Sequence, residues 1–252
     1  MASRPDIDEL LEAVARSEID PKVAAERLAT MPYEDLGFAR VDTHRELRQG
    51  APEVILGQGK TPAQVVAVAR ALDEAGASSV LVTRAGDDVR AAMRDAFPDV
   101  NVDDLARAAW LERESPDRCG KVVIVSAGTS DGPVVHEARI RAELLGAEVV
   151  VFEDVGVAGL HRLAPVIPEI RTADCVVAVA GMDGALGSVI GGLASCPVIG
   201  VPTSVGYGSA NGGRTALDAM LSSCADGLAV VGIDDGLGAG TVAAKIARAS
   251  AS

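Results

Sequence analysis

One cysteine of this chain stands where it can do covalent chemistry. Cys224 lies in the run Met220-Leu-Ser-Ser-Cys-Ala-Asp-Gly227, between an apolar helical stretch and a short apolar run. A thiolate is both a good nucleophile and a good leaving group, so this side chain can add to an electron-poor ring and depart again. The negative end of the preceding helix dipole disfavours the thiolate, so we expect a nearby cation or a positively charged substrate to favour it.

Two other segments place small and hydroxyl-bearing residues directly after apolar runs. The first contains Gly128, Thr129, Ser130 and Asp131, and the second contains Ser204, Gly206, Tyr207 and Gly208. Backbone N–H groups at such a corner can face a phosphate or a ribose, and glycine allows close approach to a ligand. Ordinary turn and capping chemistry uses the same residues in the first segment. A flexible loop is the alternative for the second segment, where we favour a binding site.

Three carboxylates follow later apolar runs. Asp183 can either cap a helix or act as a general base, and its position alone favours the cap. Asp234 and Asp235 can hold a divalent cation or ribose hydroxyls, although a turn explains them equally well.

Basic residues gather in an otherwise acidic first third of the chain. Arg40, Arg45 and Arg48 suit a solvated, salt-bridged face, or an anion site if this segment folds over another domain. Lys60 follows Gly57-Gln-Gly59, but a P-loop needs glycine where the chain has Val54. We therefore expect Lys60 at most to meet an anion at the start of the next helix.

Composition excludes several function classes. The 252 residues carry a net charge of −13 and only 2% aromatic residues, which disfavours nucleic acid and anionic membranes as partners. The four cysteines and three histidines show no zinc-type spacing. The N-terminal residues lack the apolar core of a signal peptide, so we expect a cytoplasmic protein with reduced thiols.

Hydrophobic patterning predicts an α/β fold with a C-terminal doubly wound parallel sheet, in three α/β/α layers, after a smaller N-terminal α/β region. In the N-terminal region we expect helices at 8–16, 20–29, 62–75 and 87–96 and strands at 53–56 and 79–84, with 100–111 unassigned. In the C-terminal region we expect strands at 121–126, 148–152, 175–180, 197–201 and 228–232, alternating with helices near 131–145, 158–170, 184–195, 212–223 and 239–249.

The charged, turn-rich stretch 112–120 is typical of a linker between two domains. The predicted domains are 1–115, helical with a small α/β region, and 116–252, a doubly wound α/β domain. Ligands of such a fold bind at the carboxyl ends of the strands.

Several long motifs resemble one family, the LarB carboxylase/hydrolase of nickel-pincer nucleotide cofactor biosynthesis. The motifs lie at 33–50, 126–131, 154–162, 201–208 and 220–225, and the resemblance runs from about residue 8 to 245. The C-terminal half is similar to aminoimidazole ribonucleotide carboxylase/mutase.

The resemblance implies a reaction on nicotinic acid adenine dinucleotide. The pyridinium ring would be carboxylated at C5 with CO2 or bicarbonate as co-substrate, without an organic cofactor. The phosphoanhydride would be hydrolysed to release AMP. Cys224 would add to the ring and form a cysteinyl-pyridine intermediate, and Asp183 would act as the base. Asp183 stands where we expect the family to carry the longer Glu.

The resemblance also implies further contacts and an assembly. Thr129, Ser130 and Asp131 would contact phosphate, as in the similar mutase fold. His161 and Arg162 belong to a matching motif, although a lone helical histidine is usually structural. A divalent cation such as Mg²⁺ would suit phosphoanhydride cleavage, and a homo-oligomer, an octamer in the mutase fold, is expected. The alternatives are a purine-pathway carboxylase or mutase and a non-catalytic nucleotide sensor.

Overall fold

The structure, a computed structural model, describes residues 5–30 and 33–251. These residues form two units. The first runs to Asp103 and also includes Arg107–Ser115, and the second contains Asp104–Ala106 and the chain from Pro116 onward.

The first unit combines helices with two small sheets. Its elements are α1 (Pro5–Ala15), α2 (Pro21–Thr30), β1 (Glu34–Asp35), β2 (Arg40–Val41), α3 (Arg45–Gln49), β3 (Val54–Leu56), α4 (Pro62–Glu74), β4 (Ser79–Thr83), α5 (Asp87–Ala96), β5 (Asn101–Asp103) and β6 (Ala108–Glu112). The larger sheet has the order β3-β4-β6-β5, with β3 parallel to β4 and β6 antiparallel to both neighbours. The helices and strands predicted for this region are confirmed within two to three residues at their ends.

The stretch 100–111, which the sequence pattern left unassigned, forms β5 and most of β6. These strands pair antiparallel, with Val102 opposite Ala109. Alanines at the start of β6 carry little strand propensity, so packing rather than propensity defines this strand. Ala108 and Ala109 are buried.

The second unit is built from one sheet and the helices that cover it. Its elements are β7 (Lys121–Ser126), α6 (Gly132–Leu144), β8 (Glu148–Phe152), α7 (Leu160–Leu163), α8 (Ile167–Arg171), β9 (Cys175–Ala180), α9 (Ala185–Gly191), β10 (Val198–Pro202), α10 (Arg214–Leu221), β11 (Leu228–Val230) and α11 (Gly236–Ser250). All five predicted strands are confirmed.

The five strands are parallel and lie in the order β8-β7-β9-β10-β11. The chain reverses direction across the sheet between β7 and β9. In such sheets the crevice for ligands opens at this switch point, outside the carboxyl ends of the strands. The loops that follow β7 and β9 are therefore the expected position of a ligand-binding site.

Side chains alternate between the two faces of the sheet. Val176 and Ala178 of β9 pack in a cluster with Leu186 of α9 and Met220 of α10. On the sheet's other side, α11 packs against α6 and the central strands. Helices on both faces confirm the doubly wound class.

The single helix predicted at 158–170 is wrong. The structure breaks this stretch into short pieces: 3₁₀ turns at Val157–Gly159 and Ala164–Val166 and the helices α7 and α8. Pro165 and Pro168 lack the N–H that a continuous helix would use, and their rings crowd the preceding turn.

Two glycines let α11 lie directly on α6. A Cβ atom on Gly240 would come closer than 3.0 Å to the carbonyl oxygen of Ala138, and one on Gly236 would similarly crowd that of Val134. The glycines are four residues apart, so they share one helix face. The Glu137 carboxylate accepts the backbone N–H of Leu237 at 3.1 Å, which satisfies a free donor at the start of α11.

No described helix is long and apolar enough to cross a membrane.

We predict that Gly240→Ala destabilises the second unit by about 1–3 kcal/mol, because the added methyl group forces the packed helices apart. Gly192→Ala is the matched control, since a Cβ there meets its nearest atom at an ordinary 3.6 Å. Thermal unfolding of both variants checks the prediction. Equal melting temperatures would contradict it.

Candidate active site at the strand ends

The carboxylate of Asp131 joins the loops at the switch point. Asp131 is 3% exposed, and its Oδ2 accepts the Gly128 N–H at 2.9 Å. Its Oδ1 accepts the hydroxyl of Thr203, the residue after β10, at 2.7 Å. The N–H of Gly181, the residue after β9, also stabilises the carboxylate. One side chain thus connects the ends of three strands.

Burial has an electrostatic cost at this position. Desolvation raises the pKa of Asp131 above its ordinary value of 3.8, and the nearby Asp234 adds to the rise. The bonds from Thr203, Gly128 and Gly181 oppose that rise but do not cancel it. The ionised carboxylate therefore organises the loops at some expense to folding stability.

Close backbone contacts also hold these loops together. A Cβ on Gly181 would collide with the carbonyl oxygen of Val205, and one on Gly156 would lie 2.5 Å from that of Ala127. The Met182 N–H donates to Val205 O at 3.1 Å. Glycine is required at 156 and 181 because neighbouring loops approach through their main chains.

Thr129 and Ser130 are exposed on the first of these loops, and Gly128 is half-buried. Residues Thr129–Asp131 form a 3₁₀ turn that leads directly into α6. Hydroxyl groups and the N-terminal end of a helix together suit an anion.

Arg162 and His161 lie beside the end of β8. The Arg162 guanidinium pairs with Asp154 at 2.6 Å, and His161 is exposed. Asp154 adopts a left-handed backbone with φ of 58°. Glu153 lies 3.7 Å from Nε2 of His136 on α6.

The loop after β10 exposes the predicted residues Ser204, Tyr207 and Gly208, while Gly206 is partly buried. The Ser204 N–H donates to Asp234 Oδ1 at 2.8 Å, which fixes the start of the loop. The Tyr207 ring is largely exposed. The structure thus brings this loop together with the loops after β7 and β9.

The remaining acidic residues are engaged with backbone donors. Asp235 caps α11 by accepting the Gly238 N–H at 2.7 Å, and Asp183 accepts the Ala185 N–H at 3.2 Å. Within residues 5–30 and 33–251, no three His, Cys, Asp or Glu side chains gather as a metal site requires. Asp234 and Asp235, whose carboxylates accept the N–H groups of Ser204 and Gly238, do not by themselves fit a divalent cation.

Cys224 lies away from these loops within its own chain. It follows α10 and precedes β11, so it belongs to the edge of the sheet where strands begin. Its neighbour Ser223 contacts Ser188 on α9, with the two hydroxyl oxygens 2.8 Å apart. The structure therefore does not bring Cys224 together with the strand-end residues of the same chain.

Of the four cysteines, Cys224 is nevertheless the one that is exposed to solvent. Burial raises the pKa of Cys175 to about 12, and burial also raises the pKa of Cys196. Cys119 is half-buried in the segment before β7. Among the four thiols, Cys224 has the best access to a ligand or to another chain.

The basic candidates of the first unit bind partners within that unit. The pairs are Arg48 with Asp42 at 2.6 Å, Arg40 with Asp35 at 3.7 Å, Arg45 with Gln49 at 3.3 Å, and Lys60 Nζ with the carbonyl oxygen of Leu56 at 2.8 Å. The pairs of Arg48 and Arg40 with aspartates are typical of the salt-bridged face that the sequence left open. Arg45 and Lys60 bond to uncharged oxygens instead.

Comparison with known proteins identifies the family. Residues 33–113 match the family model described as "LarB/PurE-like N-terminal domain", and residues 121–252 match the model described as "AIR carboxylase". The chain belongs to the LarB family. The two matches make it a carboxylase-type enzyme of the PurE/LarB group. It is also 35% identical, over 96% of its length and 97% of the relative's, to a Methanocaldococcus jannaschii protein named only as uncharacterized.

Sequence reasoning did not single out two residues that the structure places at this edge of the sheet. Thr203 directly follows the buried strand β10, and Glu153 directly follows the partly buried strand β8. Their position at the carboxyl end of a strand is the feature of the sequence that could have indicated these two residues as site candidates. Thr203 belongs to the glycine-rich stretch that also contains Ser204 and Gly206, whereas Glu153 belongs to no such stretch. The burial of Thr203 and the contact of Glu153 with His136 arise from the folded structure and have no local sequence pattern.

We predict that Asp131→Asn removes a pH dependence of stability. Because the folded pKa of Asp131 is raised, its stabilising contribution is complete below about pH 4 and is lost as pH rises through the raised value. The melting temperature of the parent should fall relative to that of the variant from pH 4 toward neutrality. Parallel curves for the two proteins would contradict this.

Proposed function

We propose that this LarB-family enzyme carboxylates C5 of the pyridinium ring of nicotinic acid adenine dinucleotide and hydrolyses its phosphoanhydride. The products are pyridinium-3,5-biscarboxylic acid mononucleotide and AMP. The observation that carries this proposal is the exposed thiol of Cys224 on an AIR carboxylase-like domain. An enzyme of the same fold that formed no covalent intermediate would have no role for this cysteine.

The chemistry of the ring explains why a thiol is needed. C5 of a pyridinium is too electron-poor to attack CO2, whereas the adjacent ring carbon is electrophilic. Addition of the Cys224 thiolate to that carbon breaks aromaticity and leaves an enamine whose C5 forms the new C–C bond. A base then removes the C5 proton, and the C–S electron pair returns to sulfur as the ring is restored. The thiolate supplies the electrons, so no organic cofactor is needed.

Asp183 is the residue that we assign as this base. It is exposed after β9, and its contact with the Ala185 N–H uses one carboxylate oxygen. The second oxygen remains available to accept a proton from a substrate in the crevice. Asp183 lies beside the switch point, where the fold places ligands.

The dinucleotide phosphates are assigned to the loop before α6. Thr129, Ser130 and the N-terminal end of α6 offer donors to an anion. Arg162, which pairs with Asp154 after the neighbouring strand β8, is assigned as a further cation of the substrate site. Asp131 acts in this proposal by holding the loops rather than by touching phosphate, since it is buried. The loop Ser204–Gly208 supplies further substrate contacts.

A second copy of the chain completes the proposed site. Cys224 belongs to the edge where strands begin, while Asp183 and Thr129 belong to the edge where strands end. A homo-oligomer that sets these two edges of neighbouring copies face to face brings thiol and loops together. This geometry supports the expected assembly, for which the octamer of the similar mutase fold is the proposed size.

We predict that Cys224→Ala lowers formation of the carboxylated product by about 10³-fold or more, because the ring is then never activated. Cys119→Ala, which removes a half-buried thiol elsewhere, is the matched control and should keep the parent rate. Mass analysis of products from dinucleotide and bicarbonate measures both. Should Cys224→Ala turn over aminoimidazole ribonucleotide instead, the purine-pathway alternative would replace this proposal.

We also predict complementation between inactive variants. Cys224→Ala and Asp183→Asn damage opposite edges of the chain, so mixed oligomers contain sites with both edges intact. Reassembling equal amounts after dissociation should recover about one quarter of the parent activity. No recovery from a verified mixed oligomer would mean that each site lies within one chain.

A further inference from the structure

Glu153 lies at the end of β8 and takes no part in the proposed carboxylation chemistry. Glu153 directly follows β8 and lies against the first residue of α6, where a Cβ on Gly132 would be 3.3 Å from Glu153 Oε1. Its other oxygen, Oε2, is 3.7 Å from Nε2 of His136, four residues along the same helix. The absence of a side chain at 132 leaves room for Glu153 beside the start of α6.

Glu153 differs from the other carboxylates at this edge. Asp131 is buried and bonded to three loops, Asp154 is paired with Arg162, and Asp235 caps α11. In the part of the chain that the structure describes, Glu153 contacts an imidazole rather than a backbone N–H or a guanidinium. Its side chain is 36% exposed, so it is accessible to water and to a ligand.

The position of Glu153 relates it to the proposed phosphate site. Gly132 comes directly after the turn Thr129–Asp131, which is assigned to the dinucleotide phosphates. A carboxylate beside this turn can reach a water molecule that approaches a bound phosphoanhydride. Such placement within reach of the transferred proton is the first requirement of a general base.

We propose that Glu153 is the general base of phosphoanhydride hydrolysis and that His136 is its positioning residue. This inference rests on the proposed function. The oxygen of water forms a bond to one phosphorus while Glu153 takes the proton from that water. The bridging P–O bond breaks, and its electron pair stays on the phosphate oxygen of the leaving nucleotide. Glu153 then releases the proton to solvent.

The negative charge of Glu153 predicts different effects on the rate of hydrolysis and on substrate binding. A carboxylate near an anionic substrate cannot strengthen its binding, since like charges repel. Replacing it with an amide should therefore slow hydrolysis without raising the KM for the dinucleotide. A residue that merely held the fold together would not produce this pattern.

The test compares Glu153→Gln with the parent and with Glu148→Gln in the assembled enzyme. Glu148 is an exposed glutamate at the opposite end of the same strand. Release of AMP and mass gain on the ring are measured separately with dinucleotide and bicarbonate. We expect Glu153→Gln to lower AMP release by about 10²–10⁴-fold and to accumulate carboxylated dinucleotide, while Glu148→Gln behaves as the parent.

The role of His136 is tested by a double-mutant cycle. His136→Gln should slow AMP release in the parent and have no further effect in the Glu153→Gln background, because it acts through that carboxylate.

Three results overturn the inference: AMP release at the parent rate in Glu153→Gln, an equal loss of both activities, or additive effects in the cycle. A parent enzyme that neither carboxylates nor hydrolyses the dinucleotide would instead reject the proposed function.

Discussion

The strand-end site depends on one buried carboxylate. Asp131 receives donors from the loops after β7, β9 and β10, and no hydrophobic contact could fix three polar loops in this way. Its raised pKa means that the ionised form costs folding free energy at neutral pH. The rest of the second unit, a close-packed sheet covered on both faces, supplies the stability that tolerates this cost.

The direction of the chain imposes a second constraint. In a parallel sheet every strand ends at one edge and begins at the other, so loops after strands cannot meet loops before them. Cys224 lies before β11, whereas Asp183 lies after β9. Chemistry that needs both groups therefore needs two copies of the chain, which links the proposed reaction directly to assembly.

Much of the fold could be predicted because buried parallel strands appear as uninterrupted apolar runs, as at 175–180. The prediction of one helix at 158–170 was wrong because it followed the helical spacing of the apolar residues and ignored Pro165 and Pro168, which interrupt the helix. The residues after each strand were also predictable as site candidates. The position of Cys224 at the edge where strands begin also followed from the predicted parallel sheet, because the residue precedes a predicted strand. The burial of Asp131 depends on long-range packing, which local patterns do not encode.

The central claim is that the Cys224 sulfur becomes bonded to the pyridinium ring during turnover. Intact-mass spectrometry of the enzyme quenched while it consumes dinucleotide and bicarbonate tests this most directly. The account predicts a transient mass increase equal to the pyridine nucleotide, mapped by peptide digestion to Cys224. Steady turnover with no adduct in rapidly quenched samples, or with an adduct on Cys119, Cys175 or Cys196, would contradict it.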